Sequence, residues 1–277
     1  MTTLCNICAS ETNLVFDSVL LKKYKVNYFK CKTCGFIQTE KPYWLKEAYS
    51  FAISELDIGL IYRNLNLAEF TEKFLENDII NPDGHYIDYG GGYGMFVRLM
   101  RDKGYAFYRQ DIHCENLFAK HFDISDLTMN NGFELLTAFE VFEHLEFPAM
   151  ELEKMLSYSD TILFSTELLP DGNPDPKTWW YFVPETGQHI SLFTIKSLQF
   201  LGAPLNLNFY SDGTSLHMFT KKVLKDNPFE NISKSSYVGG LLRIFSKKQK
   251  IKRNSLLMSD FENVRKLIND HTTNINF

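Results

Sequence analysis

Three groups of residues have the types and spacing to do chemistry. The first is a pair of C-x2-C motifs, Cys5-Asn-Ile-Cys8 and Cys31-Lys-Thr-Cys34-Gly35. Zinc prefers four tetrahedral nitrogen or sulfur ligands, and two such pairs supply four thiolates. A closed four-thiolate site has no open position, so the metal expected at Cys5, Cys8, Cys31 and Cys34 is structural Zn2+. Gly35 suits a knuckle in which backbone amides crowd the thiolates. The fifth cysteine, Cys114, stands alone and reads as an ordinary loop thiol. The second group is Asp88-Tyr-Gly90-Gly-Gly92-Tyr-Gly94, in which glycines let the backbone turn sharply and approach a ligand closely. The third is Glu140-Val-Phe-Glu143-His144, with His189 in a downstream loop. On a helical turn Glu140, Glu143 and His144 fall at i, i+3 and i+4, on one face. Two carboxylates and an imidazole so placed form a donor set for a divalent cation, Mg2+ or Mn2+, with His189 as a fourth ligand. Without a metal, His189 after the Gly187-Gln188 turn reads as a general base. The structural alternatives are carboxylates that brace a helix, and histidines bonded to backbone.

The elements that must position these groups follow from pattern. Residues 1–40 hold both cysteine pairs and short β-like stretches, Leu14–Phe16 and Lys25–Phe29. That segment is too small for a hydrophobic core of its own, and a metal would supply the missing stability. Lys41-Pro42 breaks the chain, and Tyr43 to Glu76 reads as helical. After the turn Asn81-Pro-Asp-Gly84, strands and helices alternate: strands at His85–Tyr89, Tyr105–Gln110, Phe133–Phe139 and Thr161–Ser165, helices at Gly94–Asp102, Glu115–Lys120 and Pro148–Leu156. Alternation of this kind predicts an α/β fold, doubly wound around a mostly parallel sheet. Leu168 to Phe193 is a long aromatic connection of the kind that forms functional lids. Its Trp179, Trp180, Tyr181 and Phe182 either stack on a ligand or pack the lid down. Ile195–Leu201 reads as a helix, and strands Leu205–Tyr210 and Ser215–Lys221 flank the turn Ser211-Asp-Gly213. Domain boundaries are expected at 1–40, 41–84, 85–221 and 222–277. The last region holds a basic stretch, Ser246 to Arg253, and a helix over Asn254–Asn269.

The glycine motif ends a predicted strand and opens a predicted helix, whose free amides carry partial positive charge. Its spacing is D-x-G-x-G-x-G. It is not the dinucleotide pattern G-x-G-x-x-G, whose third glycine would fall on Met95 or Val97. The next strand ends at Asp111, whose carboxylate is placed to accept two hydrogen bonds from the cis-diol of a ribose. Its alternative is a cap on the following turn. Phe122-Asp123 lies where a base would be lined.

These segments resemble a known family. Asp88–Gly94, Phe133–His144 and Trp179-Trp-Tyr-Phe with Thr186-Gly-Gln-His189 look like class I S-adenosylmethionine-dependent methyltransferases of glycan and secondary-metabolite clusters. The resemblance runs from about Leu60 to Lys221. It implies a seven-stranded Rossmann-like sheet closed by an antiparallel pair. It also implies S-adenosyl-L-methionine held at Asp88, Gly90, Gly92, Gly94 and Asp111, with Phe139 beside the methionine part. The cysteine pairs are similar to those of sugar-nucleotide C-methyltransferases. Those enzymes carry a further large C-terminal domain that this chain lacks, so O-methylation of a nucleotide-linked sugar or glycan hydroxyl is the expectation. The E-x-x-E-H pattern is similar to that of small-RNA 2′-O-methyltransferases and ubiquinone-pathway O-methyltransferases. There the matching residues hold a metal that lowers the acceptor hydroxyl's pKa.

Charge narrows the partners. The formal net charge of −5 argues against a protein devoted to nucleic acid, which carries a basic face. An RNA 2′-O-methyltransferase with the cysteine module as its RNA grip, and a non-catalytic zinc-stabilised binding module, are the competing readings. No apolar run reaches the ~20 residues of a membrane span. The N-terminus lacks the parts of a signal peptide, so a cytoplasmic protein acting on a small molecule is expected, with its oligomeric state open.

Overall fold

A computed structural model describes residues 3–50, 54, 56–77, 79–127, 132–170, 172, 175, 176, 178–230 and 253–273. In chain order its strands are β1 (Thr12–Leu20), β2 (Tyr24–Cys31), β3 (Ile37–Thr39), β4 (His85–Tyr89), β5 (Ala106–Gln110), β6 (Leu135–Ala138), β7 (Thr161–Ser165), β8 (Ser191–Leu192), β9 (Asn208–Ser211) and β10 (Leu216–Thr220). Its helices are α1 (Leu45–Ala48), α2 (Leu60–Leu75), α3 (Met95–Asp102), α4 (Pro148–Leu156), α5 (Ile195–Gly202) and α6 (Leu257–Thr273). The chain forms two compact units. One is Met1–Ile58 with Leu135–Glu230, the other Gly59–Glu134 with Asn231–Phe277.

In the first unit β1 and β2 form a hairpin whose turn places Leu21 and Lys22 at positive φ. β3 pairs with β2, and β8 pairs with β3 through Ile37↔Leu192 and Gln38↔Ser191. The sheet that begins in the cysteine module therefore takes its last strand from residues far along the chain. The reason is the missing core. Val26, Tyr28, Ile37 and Trp44 are buried in one cluster with Phe182, Ile190 and Leu192. The compact unit thus joins the cysteine module to residues 135–230. The same unit contains β6 parallel to β7, then β10 and β9 antiparallel. The β9–β10 turn is set by Asp212, whose Oδ1 accepts the N–H groups of Thr214 and Ser215. Phe142, Phe164 and Phe219 stack beneath these strands.

In the second unit β4 and β5 are parallel, with Asp88 opposite Arg109. Tyr86 stacks on Phe107, and Phe96 of α3 meets Phe107 edge-on. α6 is held by Asp260, whose carboxylate receives Arg101 Nε at 2.8 Å and Nη2 at 2.6 Å. The Arg101 guanidinium lies over the Phe122 ring at 3.8 Å.

The fold class is as expected, α/β with a mostly parallel, Rossmann-like sheet. That sheet has six strands among the described residues, not seven. After β5 the chain forms the single bridge Arg109↔Asp123. Asp123 is committed to Arg109 and to capping the 3-10 turn Ile124–Asp126. The helix expected over Glu115–Lys120 is absent, because the Asn116 side chain closes a turn onto Ala119. The helical stretch expected over Tyr43–Glu76 is two helices, α1 and α2. Most of the basic stretch, Ser246–Lys252, lies outside the described residues. Among the described residues no helix is long and apolar enough to cross a membrane.

Candidate active site

The glycine loop belongs to the second unit. It leaves β4 at Tyr89 and enters α3 at Met95, with Gly90, Gly92 and Gly94 at φ of 69°, 52° and 85°. At Gly94 a side chain would also meet Asn116 Oδ1 at 2.7 Å, so both backbone and space require glycine. Asp88 is buried at the end of β4. Asp111 does not simply point outward for a ribose. Its Oδ2 accepts the Gly92 N–H at 2.9 Å, and its Oδ1 accepts those of His113 and Cys114 at 2.7 and 2.8 Å. Three of the roughly four acceptor positions of a carboxylate are thus used in stitching the loop to the segment after β5. One position on Oδ2 is left for a hydroxyl.

Arg109 is the residue that sequence reading missed. It is 4% exposed, and its Nη1 donates to Gly92 O at 2.5 Å and Cys114 O at 3.0 Å, while Nε donates to Asp123 at 2.6 Å. The signal was available: a charged residue at a core-facing position of β5, two before Asp111, needs a buried partner set.

The Glu–His group belongs to the first unit. After β6, Glu140 adopts the left-handed backbone at φ 54°, which costs a non-glycine residue about 1–2 kcal/mol. Its N–H donates to Ser165 Oγ at 2.8 Å, and the Ser165 hydroxyl donates back to Glu140 Oε1 at 2.7 Å. The segment is therefore not one α-helical turn. Only Phe142–His144 forms a 3-10 turn, and Glu140 diverges from the rest. Glu143, His144 and His189 do converge, with one ligand atom from each lying within 4.8 Å of the others. Three of the four expected residues meet. Phe139, half-buried after β6, lies in this same unit.

Glu143 is fully buried and neither carboxylate oxygen has a hydrogen-bond partner. The hydroxyls of Tyr181 and Thr166 face it without reaching hydrogen-bond geometry. His144 Nε2 is 4.0 Å from Glu143 Oε1. Burial, reinforced by the charge of Glu140, pushes the Glu143 carboxyl up to about 8. Burial draws His144 down to about 4, against the opposing pull of the Gln188 carbonyl. His144 Nδ1 is 3.0 Å from Gln188 O, and His189 Nδ1 is 2.6 Å from Tyr181 O. A carbonyl can only accept, so in the neutral rings each Nδ1 carries the hydrogen and each Nε2 the lone pair. The rings lie 5.1 Å apart. Of the aromatic run, Tyr181 and Phe182 are buried, Trp179 packs against the module's core, and Trp180 is 72% exposed.

The four cysteine sulfurs also converge. Sγ separations are 3.6 Å for Cys5–Cys34, 3.4 Å for Cys8–Cys31 and 3.6 Å for Cys8–Cys34. Zinc–sulfur bonds of about 2.3 Å in a tetrahedron place sulfurs about 3.8 Å apart, so the set fits zinc after a small expansion. Amides of Ile7 and Thr33 point at Cys5 and Cys31 sulfurs at 3.4 and 3.3 Å, as thiolates require.

The strand–glycine loop–helix and the Rossmann-like sheet define the class of fold that carries methyl transfer. A family model described as "Methyltransferase domain" matches residues 60–211, more than half of the chain, and the protein belongs to that family. No curated protein matches the sequence. Among solved structures, the chain is similar to CalO1, a methyltransferase in calicheamicin biosynthesis in its SAH-bound form. The identity is 14% over 64% of this chain and 61% of that one, with a TM-score of 0.40. It is similar to an O-methyltransferase family 2 protein from Planctomyces limnophilus in complex with apigenin, at 12% identity over 64% and 66% of the two chains and a TM-score of 0.40. Magnesium protoporphyrin IX methyltransferase from Synechocystis, with SAH bound, is 11% identical over 64% and 92%, with a TM-score of 0.41. The chain spans less than two thirds of the length of the first two.

Proposed function

We propose that the protein transfers the methyl group of S-adenosylmethionine to a hydroxyl of a small acceptor, a nucleotide-linked sugar or glycan, in the cytoplasm. The observation that carries this reading is the meeting of Glu143, His144 and His189. Two imidazoles whose Nδ1–H groups face backbone carbonyls meet a buried carboxyl group. The cofactor's share falls to the Asp88–Gly94 loop, with Asp111 bonding a ribose hydroxyl through its remaining acceptor position and Phe139 covering the methionine part. Bound S-adenosylmethionine would supply its methyl group to the acceptor oxygen and depart as S-adenosylhomocysteine, and His189 Nε2 would take the hydroxyl proton. Glu140 braces the turn through Ser165. Exposed Trp180 offers a stacking face for a sugar or base.

Two metals fit this reading. Cys5, Cys8, Cys31 and Cys34 would hold a structural Zn2+, in keeping with their sulfur spacing. As the alternative to His189 acting as base, Glu143, His144 and His189 would hold Mg2+ or Mn2+, with His189 a ligand and not the proton acceptor, which answers the orphaned oxygens of Glu143. When bound, that ion would lower the pKa of the acceptor hydroxyl. The test is calorimetric titration of S-adenosylhomocysteine, then a screen of nucleotide sugars for methyl uptake with and without chelator. Binding plus methylation of one sugar upholds the reading. No binding by folded, zinc-loaded protein overturns it.

A further inference from the structure

The cysteine module and the histidine pair are connected, within the first unit, by a short run of hydrogen bonds centred on Gln38. This side chain is 4% exposed. Its Oε1 accepts the Asn6 N–H at 2.8 Å and its Nε2 donates to Leu4 O at 2.9 Å, so it grips the first knuckle on both sides of Cys5. Its backbone pairs with Ser191, two residues after His189. The Ser191 hydroxyl donates to Leu145 O at 2.6 Å, next to His144. Asn6 makes a second crossing, donating from Nδ2 to Glu146 O at 2.9 Å. Ile190 N–H closes the circuit on Glu143 O at 2.9 Å.

Nδ1 of each histidine faces a backbone carbonyl, Gln188 O for His144 and Tyr181 O for His189. His144 is thus tied to the strip of residues 187–192 through Gln188 O, and His189 is itself part of that strip, so the alignment of both rings with their carbonyls depends on where the strip runs. That strip runs along β3, which starts three residues after Cys34. The second knuckle is fastened at the far end of the strip, where Thr194 Oγ1 donates to Cys34 O at 2.8 Å. A metal held by four thiolates fixes both knuckles, and with them the line of β3.

We infer that the cysteine module is the positioning element of the His144–His189 pair, with Gln38 and Asn6 as the positioning residues that transmit its geometry. The module is then more than a fold stabiliser. Loosening it turns the rings away from their carbonyls while the Asp111-stitched glycine loop keeps its form. Misplacement of a reacting group by 1 Å costs on the order of 100-fold in rate, so a small shift of the strip is enough to silence the site.

The inference rests on the reading of these histidines as functional, but its test does not depend on methyl transfer. Imidazole nitrogen–proton correlation spectra report the tautomer of each ring, assigned with His144→Gln and His189→Gln. Wild type and the control Lys25→Ala, which breaks only a surface ion pair with Asp17, are expected to show both rings in the Nδ1–H form. Gln38→Met is expected to shift His189 toward mixed tautomers, and Asn6→Ala to shift His144. Chelation of the thiolate-bound metal from wild type should shift both rings. Affinity for S-adenosylhomocysteine should stay unchanged in the variants. If Gln38→Met fails to fold, the half-buried Asn6 and the chelation arm still decide. Rings that keep the Nδ1–H form in Asn6→Ala and after metal removal overturn the inference. Rings that respond in a protein that binds no S-adenosylhomocysteine uphold it while the functional reading falls.

Discussion

His217 allows a quantitative test of how the first unit is assembled. It sits in β10, fully buried between the Phe164 and Phe209 rings. Its Nε2 donates to Thr166 O at 3.0 Å and its Nδ1 accepts the Ser211 hydroxyl at 2.8 Å, so the neutral ring has both nitrogens satisfied. Burial lowers its pKa from 6.5 to about 4, opposed by the Thr166 carbonyl and the charge of Asp212. The unfolded chain takes up a proton near 6.5, and the folded chain refuses it until about 4. Stability is thus complete above 6.5 and is lost as pH falls from there toward 4. At 1.36 kcal/mol per pH unit the full loss is about 3 kcal/mol. Urea unfolding of wild type and His217→Gln, at about pH 7.5 and again near pH 4.5, reads this directly. Glutamine keeps a donor for Thr166 and an acceptor for Ser211 but does not titrate. His144, lowered in the same direction, is present in both proteins and cancels in the difference. Wild type should lose about 2–3 kcal/mol more than the variant across that interval. Equal losses would refute the argument and mean that the ring is protonated in place.

Three other substitutions follow from the geometry. Asp260→Ala strands the buried Arg101 guanidinium without its partner and should lower stability by about 3–5 kcal/mol in urea unfolding. Asp111→Ala removes the acceptor of three loop amides and should weaken S-adenosylhomocysteine binding about tenfold or more by calorimetry, a loss above about 1.4 kcal/mol. A result close to wild type would show that the loop holds itself. Cys34→Ser, at a buried ligand position, should leave the purified protein with less zinc by elemental analysis and a lower melting temperature.

What could be read in advance was what is decided locally. The glycine spacing of Asp88–Gly94 needs only a strand before it and a helix after it, and β4 and β7 fall where their apolar runs place them. The cysteine pairs likewise carry their own geometry. Glu140 escaped because its left-handed backbone is imposed by Ser165 on another strand, which pattern along the chain does not register. The use of Asp123 was not legible either, because its partner Arg109 lies on β5 and the pair is set by how the chain folds back. Asp111 follows directly on β5, as the apolar run suggested, but its use by backbone amides depends on how the loop folds back. The pairing of β3 with β8 was out of reach for the same reason: two residues of strand carry almost no signal, and the partner is set by burial of Ile37 and Leu192.

That pairing also has a consequence in time. Synthesis proceeds from the N-terminus at about 5–20 residues per second, so roughly 8–30 s pass between the emergence of Gln38 and that of Ser191. Throughout that interval the three-residue edge of β3 has open backbone donors and acceptors and is a template for the wrong strand. The thiolates of the two knuckles are already available to take a metal while the chain is still being made. Zinc supply during translation, rather than after it, would then decide how many chains reach the native state. The yield of active protein from zinc-starved cells would not be recovered by adding the metal to the finished chain.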